Sequence, residues 1–171
     1  MLRVTRIIAL FCVVGGAIAA SFGLPSPAVA QSSAPPDIVA AYQTIDGALA
    51  QLDPEPQLKL YAPNAVFIDE SGHIHNFAQV AASIRAQEKA TQSAESTITL
   101  GTVIVQKSGV TVPISQKLDI TRIDPKTGVL NTTILTLNER DHWVEVGGVW
   151  KINRERVISA FGETNGQPNG M

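Results

Sequence analysis

The feature that most constrains this chain is a change in apolar spacing near Ser96, after which apolar and polar residues alternate. Alternation with period two places every second side chain on one face of a β-strand. The clearest alternation comprises Val110, Val112, Ile114, Leu118 and Ile120. Turn sequences rich in Gly, Pro and Asp separate the alternating segments. The sequence therefore predicts four long antiparallel strands, each with one buried face, over residues 97–105, 110–121, 129–146 and 149–160.

Before Ser96 the apolar spacing is mainly helical. A first helix over residues 37–52 is predicted from Ile38, Ala41, Ile45, Leu49 and Leu52. A short second helix carries Leu58 and Tyr61, and a third, over residues 77–90, begins after the N-cap Asn76. Two short strands, 65–68 and 73–75, lie between the second and third helices. The fold class is therefore α+β, with a cone-shaped, curved antiparallel sheet packed against three N-terminal helices around a cavity.

The first thirty residues are typical of a secretory signal peptide. Arg3 and Arg6 precede an apolar run over residues 7–20, and small residues end the segment at Ala28 and Ala30. An uncleaved membrane anchor is the alternative, but the apolar run is shorter than the roughly 20 residues that a spanning helix needs. We therefore expect cleavage after Ala30, export to the periplasm or the medium, and no membrane segment in the mature protein.

Composition limits what the mature chain can be. The full chain has 171 residues, one Cys and a net charge of −2. The leader holds two arginines, no acid and Cys12, so its removal leaves 141 residues, a net charge of −4 and no Cys. This excludes a disulfide framework and gives no basic surface for nucleic acid. We predict one domain over residues 37–160, preceded by a linker at 31–36 and followed by a flexible tail at 161–171.

Two segments resemble a known family, the nuclear transport factor 2-like superfamily, which includes SnoaL-like polyketide cyclases and ketosteroid isomerases. They are LYAPNAVF at residues 60–67 and DHWVEVGGVWKI at residues 141–152. The resemblance covers about residues 36–160 and implies the cystatin-like or SnoaL-like roll, a cavity for a small apolar molecule and a homodimer. Members include isomerases, cyclases, dehydratases and non-catalytic modules, so the resemblance leaves the activity open.

Asp69 is the first candidate catalytic residue. It follows three apolar strand residues and precedes a turn, so it could point into an apolar cavity where burial would raise the pKa of its carboxyl. The resemblance places Asp69 at the general base of ketosteroid isomerases. The alternative is a hydrophilic turn residue that accepts backbone hydrogen bonds.

Asp141 and His142 form the second candidate group. They resemble the isomerase segment whose protonated aspartate assists a tyrosine at the substrate oxygen, although Asp141 could instead pair with a nearby arginine. The same match places Ile45 at the tyrosine position and Tyr42 one turn earlier. That displacement of about 5 Å predicts that Tyr42 cannot make the unchanged hydrogen bond.

The remaining candidates concern the cavity wall and a metal. His73 and His75 are two apart on a predicted strand and could join Asp69 or Glu70 in a metal site, although solvated imidazoles beside a turn are the simpler interpretation. We predict no metal and no cofactor. The predicted pocket residues are Tyr42, Ile45, Tyr61, Phe67, His73 and His75. Trp143 and Trp150 are predicted to be packing anchors.

Two functions remain from the sequence. One is an exported enzyme of the isomerase, cyclase or dehydratase type that uses Asp69 with His142 or Asp141. The other is a non-catalytic ligand-binding or dimerisation module of the cell envelope.

Overall fold

A computed structural model describes residues 31–124 and 126–168, which form three helices and nine strands. The predicted signal peptide and its cleavage site at Ala30 lie outside the described residues. The helices are α1 (Pro36–Gln51), α2 (Glu55–Leu58) and α3 (Phe77–Glu88). The strands are β1 (Gln31–Ser32), β2 (Tyr61–Ile68), β3 (Ile74–Asn76), β4 (Thr91–Leu100), β5 (Val103–Gln106), β6 (Gly109–Ile123), β7 (Leu130–Val146), β8 (Val149–Thr164) and β9 (Gln167–Pro168).

The strands form one curved, unclosed sheet in the order β1-β5-β6-β7-β8-β2-β3, with β4 also paired to β6 and β9 to β8. The α+β class predicted from the sequence is confirmed. The sheet is mixed, however, because β2 runs parallel to β8 while all the other pairs are antiparallel. The three long strands β6, β7 and β8 form an antiparallel meander that is the body of the sheet, and β2 and β3 extend it on one side.

The helices form where the sequence predicts them. In α1 the residues Ile38, Ala41, Tyr42, Ile45 and Ala48 are buried, which is the spacing of one helical face, and α1 packs against β4. The predicted cap of α3 is confirmed, since the Asn76 side chain accepts from the Gln79 amide and the Gln79 side chain accepts from the Asn76 amide.

Several boundaries differ from the predictions. Tyr61 begins β2 rather than ending α2, and the strand accommodates Pro63 where its register with β8 shifts. The predicted single strand over 97–105 is two strands, β4 and β5, separated by Gly101, whose amide donates to the Pro113 carbonyl.

Both ends of the described chain carry more structure than the sequence predicts. Gln31 and Ser32, predicted in the linker, pair with Ile104 and Val103 of β5. β8 continues to Thr164, and Gln167–Pro168 pairs back on it, within the predicted flexible tail.

The main core lies between α1 and the inner face of the sheet. Its largest fully buried side chains are Trp143, Ile38, Ile152, Val103 and Val112. A second cluster of Ala94, Leu118, Ile120 and Leu135 lies further along β6 and β7. Among residues 31–124 and 126–168, no helix is long and apolar enough to cross a membrane.

Candidate functional site

A cavity of about 210 Å³ lies between the helices and the concave face of the sheet. Its walls are mostly apolar and include Ile45, Leu49, Phe67, Val80, Ile98, Ile114, Leu118 and Leu137. An apolar cavity of about 150 Å³ can hold benzene, so this one has room for a single-ring compound. Polar side chains also line it, among them Gln57, Gln87 and Gln116 and several charged residues.

Sheet register sets four cavity residues side by side on adjacent strands. Asp141 of β7 is opposite Glu155 of β8, Glu155 is opposite Phe67 of β2, and Phe67 is opposite His75 of β3. All four line the cavity. Neighbouring strands are about 4.8 Å apart, so Glu155 and His75 are separated by roughly 10 Å. This row therefore has an imidazole at one end and two carboxyls at the other.

The imidazole end is a hydrogen-bonded pair of Asp69 and His75. His75 Nε2 lies 3.2 Å from Asp69 Oδ2, and Asp69 Oδ1 accepts from the Ser71 hydroxyl at 2.6 Å and the His73 amide at 2.8 Å. Burial acts to raise the pKa of Asp69, but these hydrogen bonds outweigh it and lower the pKa below its usual value. Asp69 is therefore a fixed carboxylate. If His75 donates its Nε2 proton to Asp69, Nδ1 is the nitrogen that can accept another proton.

The opposite end carries three carboxyls whose pKa values are raised. Burial is the largest cause for Glu139, Asp141 and Glu155, and the charge of Glu155 further raises the pKa values of Glu139 and Asp141. Tyr61 donates a hydrogen bond of 2.7 Å to Glu155 Oε2, which offsets part of the effect there. We call Glu139, Asp141 and Glu155 the carboxyl cluster. Its members retain protons to higher pH than ordinary carboxyls do.

A buried chain of hydrogen bonds lies behind Asp141. The Trp143 indole donates to the Tyr42 hydroxyl at 3.0 Å, and that hydroxyl donates to Asp141 Oδ2 at 2.8 Å. Trp143 is 0% exposed and Asp141 is 2% exposed. This contact was not predicted from the sequence, and it forms because α1 is packed with the Tyr42 hydroxyl beside Asp141. Burial, and then the charge of Asp141, raises the pKa of the Tyr42 phenol.

Comparisons with known proteins identify the architecture. No protein-family model matches the sequence, and no curated protein matches it. Among solved structures, a nuclear transport factor 2-like superfamily protein from Salmonella enterica serovar Typhimurium is similar with a TM-score of 0.56 and 16% identity, over 70% of this chain and 86% of that one. The chain has the nuclear transport factor 2-like fold.

Two further structures are similar in the same way. A hexachlorocyclohexane dehydrochlorinase of type 2 has a TM-score of 0.55 at 12% identity, over 77% of this chain and 86% of that one. A Caulobacter vibrioides protein with a cystatin-like fold has a TM-score of 0.52 at 17% identity, over 71% of this chain and 85% of that one. At these identities the likeness concerns the nuclear transport factor 2-like fold and not the reaction.

Only some of the predicted site residues lie on the concave side of the sheet. Asp69, Asp141, Ile45, Tyr61, Phe67 and His75 line the cavity, and Tyr42 lies behind Asp141. His73 points outward, with its side chain 77% exposed. His73 precedes β3 and belongs to the turn, but its Nδ1 lies 3.4 Å from Asp69 Oδ2, the same oxygen that His75 Nε2 approaches at 3.2 Å.

His142 is also outside the cavity. Neighbouring residues on a strand face opposite sides, so the inward Asp141 and Trp143 direct His142 to the convex face, where its Nδ1 lies 3.0 Å from the Thr111 hydroxyl. Burial, followed by the nearby Arg154, lowers its pKa. The predicted partnership of Asp69 with His142 is therefore wrong. The predicted elevation of the Asp69 pKa is wrong as well, since hydrogen bonds outweigh burial.

Glu139 and Glu155 were not predicted as site residues from the sequence. Glu139, like Asp141 and Trp143, lies at an alternate position of β7 that faces the inside of the sheet. The alternating pattern of the sequence therefore indicated a charged residue at a buried position. Glu155 lies between two arginines in the sequence, and only its pairing with Phe67 and Asp141 reveals that it faces the cavity. In the part of the chain that the structure describes, no group of three or more His, Cys, Asp or Glu is arranged to hold a metal ion.

Proposed function

We propose that this protein is an exported enzyme that binds a small, largely apolar molecule in the cavity and removes a proton from carbon, in a reaction of the isomerase, cyclase or dehydratase type. The observation that carries the proposal is the Asp69–His75 pair at the wall of an apolar cavity. The dehydrochlorinase among the similar structures is an elimination enzyme by name, which favours this reaction type.

The chemistry follows from the roles of the two side chains. His75 accepts the substrate proton at Nδ1, and the ring becomes an imidazolium. Asp69 holds the ring through Nε2 and stabilises the imidazolium, because its low pKa keeps it ionised. The apolar walls exclude water and hold the body of the substrate beside the base. Asp69, the base expected from the sequence, is thus a positioning residue, and His75 is the base.

Deuterium exchange tests this without knowledge of the natural substrate. Protein in D₂O would be incubated with a small cyclic ketone such as cyclopent-2-enone, and loss of the α-proton signal followed by NMR. We expect wild-type protein to accelerate exchange, His75→Gln to lower the rate at least about 100-fold, and Asp69→Asn to lower it by a smaller factor.

His142→Gln is the matched control, since that imidazole lies on the convex face of the sheet, away from the Asp69–His75 pair. Equal exchange rates for wild type, His75→Gln and His142→Gln would contradict the catalytic proposal. Binding of the ketone without any accelerated exchange would favour the second candidate function.

That second candidate is a non-catalytic binding or dimerisation module of the cell envelope. One observation favours it: the Tyr42 hydroxyl donates to Asp141 and accepts from Trp143, so its hydrogen-bonding is taken up inside the protein. A phenol held in this way supports the core and not a bound substrate.

Export and dimerisation complete the proposal. Residues 1–30 carry the pattern of a cleaved signal, and mass spectrometry of the exported protein should give Gln31 as its first residue.

Exposed Ile158 and Phe161 on β8 support a homodimer through the convex side of the sheet. Sedimentation at micromolar concentration should give twice the mass of the 141-residue mature chain predicted from the sequence. A single-chain mass would contradict the dimer.

A further inference from the structure

The charges that line the cavity are unbalanced. Five acids line it, namely Asp69, Glu88, Glu139, Asp141 and Glu155, whereas the basic side chains on its walls are His75 and Arg122. His75 is paired with Asp69. Arg122 donates to the Thr91 hydroxyl. On β6 it is eight residues from Ile114, the strand partner of Glu139, and this separates Arg122 from Ile114 by roughly 25 Å along the strand. The carboxyl cluster therefore has no basic side chain beside it among the described residues.

Glu139 is the least satisfied member of the carboxyl cluster. It is 8% exposed and lines the cavity, yet none of the hydrogen bonds or ion pairs of the described residues involves its carboxyl. Asp141 Oδ1 is likewise buried without a hydrogen-bond partner. Buried polar groups normally have partners, so these oxygens are acceptors that a ligand could satisfy.

We propose that the ligand of this cavity carries a protonated amine on an apolar body, and that the amine binds at the carboxyl cluster with Glu139 as its direct partner. The inference rests on the proposed function, because it names the class of molecule that the same cavity takes. An ammonium group has three donors and no acceptor, which complements the Glu139 carboxyl and Asp141 Oδ1, since neither accepts a hydrogen bond from the described residues. Its charge also offsets the mutual repulsion of Glu139, Asp141 and Glu155.

The surroundings favour an organic amine over a metal ion. The carboxyls are not arranged as a set of three metal ligands. The walls beside them are apolar, with Ile114 and Leu137 near Glu139, and would contact a hydrocarbon ring. In the row of strands, His75 lies roughly 10 Å from Glu155. An amine at the carboxyl cluster would thus anchor one end of a substrate whose carbon acid lies toward His75.

The test is calorimetric titration with three matched pairs of probes: benzylamine and benzyl alcohol, 2-phenylethylamine and 2-phenylethanol, and cyclohexylmethylamine and cyclohexylmethanol. Each pair differs in the charged group while the apolar body is the same. We expect at least one amine to bind about tenfold or more tightly than its alcohol at pH 7, as a charge-assisted hydrogen bond predicts. Amine binding should also release protons, detected as a binding enthalpy that changes between phosphate and MOPS buffers, neither of which contains a primary amine.

Proton release has a defined source. The titratable groups that face the carboxyl cluster are its own members on β7 and β8, together with Tyr42 from α1 and Tyr61 from β2. The pKa values of these carboxyls are raised, and a cation beside them stabilises their ionised forms, which favours release of protons into the buffer.

Glu139→Gln keeps the side-chain shape and removes the charge, and should lower amine affinity about tenfold while changing alcohol affinity less than about twofold. Glu145→Gln, at an exposed position of the same strand, is the control and should leave both affinities unchanged.

Each other outcome overturns the inference in a distinguishable way. Alcohols that bind as tightly as the amines overturn the amine class but leave the proposed apolar cavity intact. Amine binding that Glu139→Gln does not weaken places the amine elsewhere and overturns the assigned partner. Failure of all six probes to bind overturns the inference together with the proposed small-molecule cavity.

Discussion

Removal of the Tyr42 hydroxyl should destabilise the protein more than removal of a similar hydroxyl at the cavity wall. In Tyr42→Phe the Trp143 indole loses its acceptor and Asp141 Oδ2 loses its donor, and both groups are buried. Each buried polar group left without a partner costs about 1–3 kcal/mol. Two such groups give an expected loss of about 2–6 kcal/mol in the free energy of unfolding, a large share of the roughly 5–15 kcal/mol of a typical domain.

The matched control is Tyr61→Phe, which removes the same atom from a hydrogen bond to Glu155. Only one partner is lost there, and Glu155 is less buried than Asp141, so we expect a loss of about 1 kcal/mol. Urea unfolding of the mature protein at pH 7, followed by tryptophan fluorescence and by circular dichroism, gives both values.

A loss for Tyr42→Phe below about 1 kcal/mol, or no greater than that for Tyr61→Phe, would refute the reasoning. It would mean that water or a shifted side chain replaces the hydroxyl and that the chain from Trp143 to Asp141 is not a structural unit. Unchanged slopes of the urea transitions would show that the comparison concerns stability and not the unfolded state.

Two further predictions concern pH and backbone fit. Because folding raises the pKa of Glu139, wild-type stability should fall as the pH rises from the pKa of the unfolded chain, about 4.3, through the pKa of the folded protein. Glu139→Gln should therefore stabilise the protein at pH 8, by about 1.4 kcal/mol for each unit by which folding raises this pKa, and should not stabilise it at pH 4. Equal effects at both pH values in urea unfolding would contradict this. Gly109→Ala should lower stability by at least about 2 kcal/mol, because Gly109 has a φ of +142° and an added Cβ would lie 2.1 Å from the Trp143 carbonyl oxygen. Gly47→Ala in α1 places its Cβ where no atom lies within 4 Å and should raise stability by up to about 1 kcal/mol. Thermal unfolding that gives both variants a change of the same sign would contradict this.

The sequence predicted the parts of the fold that depend on local pattern. The alternation at Val110, Val112 and Ile114 marks the buried face of β6, and the Asn76 cap marks the start of α3. These signals lie within one element, so they are readable without knowledge of the partner strands. Boundaries such as the start of β2 at Tyr61 were missed because pairing with Ile152 of β8 decides them.

The site was less predictable because long-range pairing assembles it. Asp69 was chosen correctly as a cavity residue, but its partner His75 lies across a turn whose geometry the sequence did not specify. Tyr42 and Asp141 are 99 residues apart, and their contact depends on how α1 sits on the sheet. The carboxyl cluster depends on register alone, since a shift of one residue between β7 and β8 would separate Asp141 from Glu155.

The parallel pairing of β2 with β8 also determines when the cavity can close during folding. Tyr61 and Glu155 are 94 residues apart, and β2 has only the three-residue β3 as its other strand neighbour. Closure of such a long loop delays a contact relative to the hairpins of β6, β7 and β8, which form between chain neighbours. The wall that carries Phe67 and His75 is thus completed only after the last long strand has been made. A truncated chain that ended before β8 would retain its helices' sequence signals but would have no strand on which to assemble this wall.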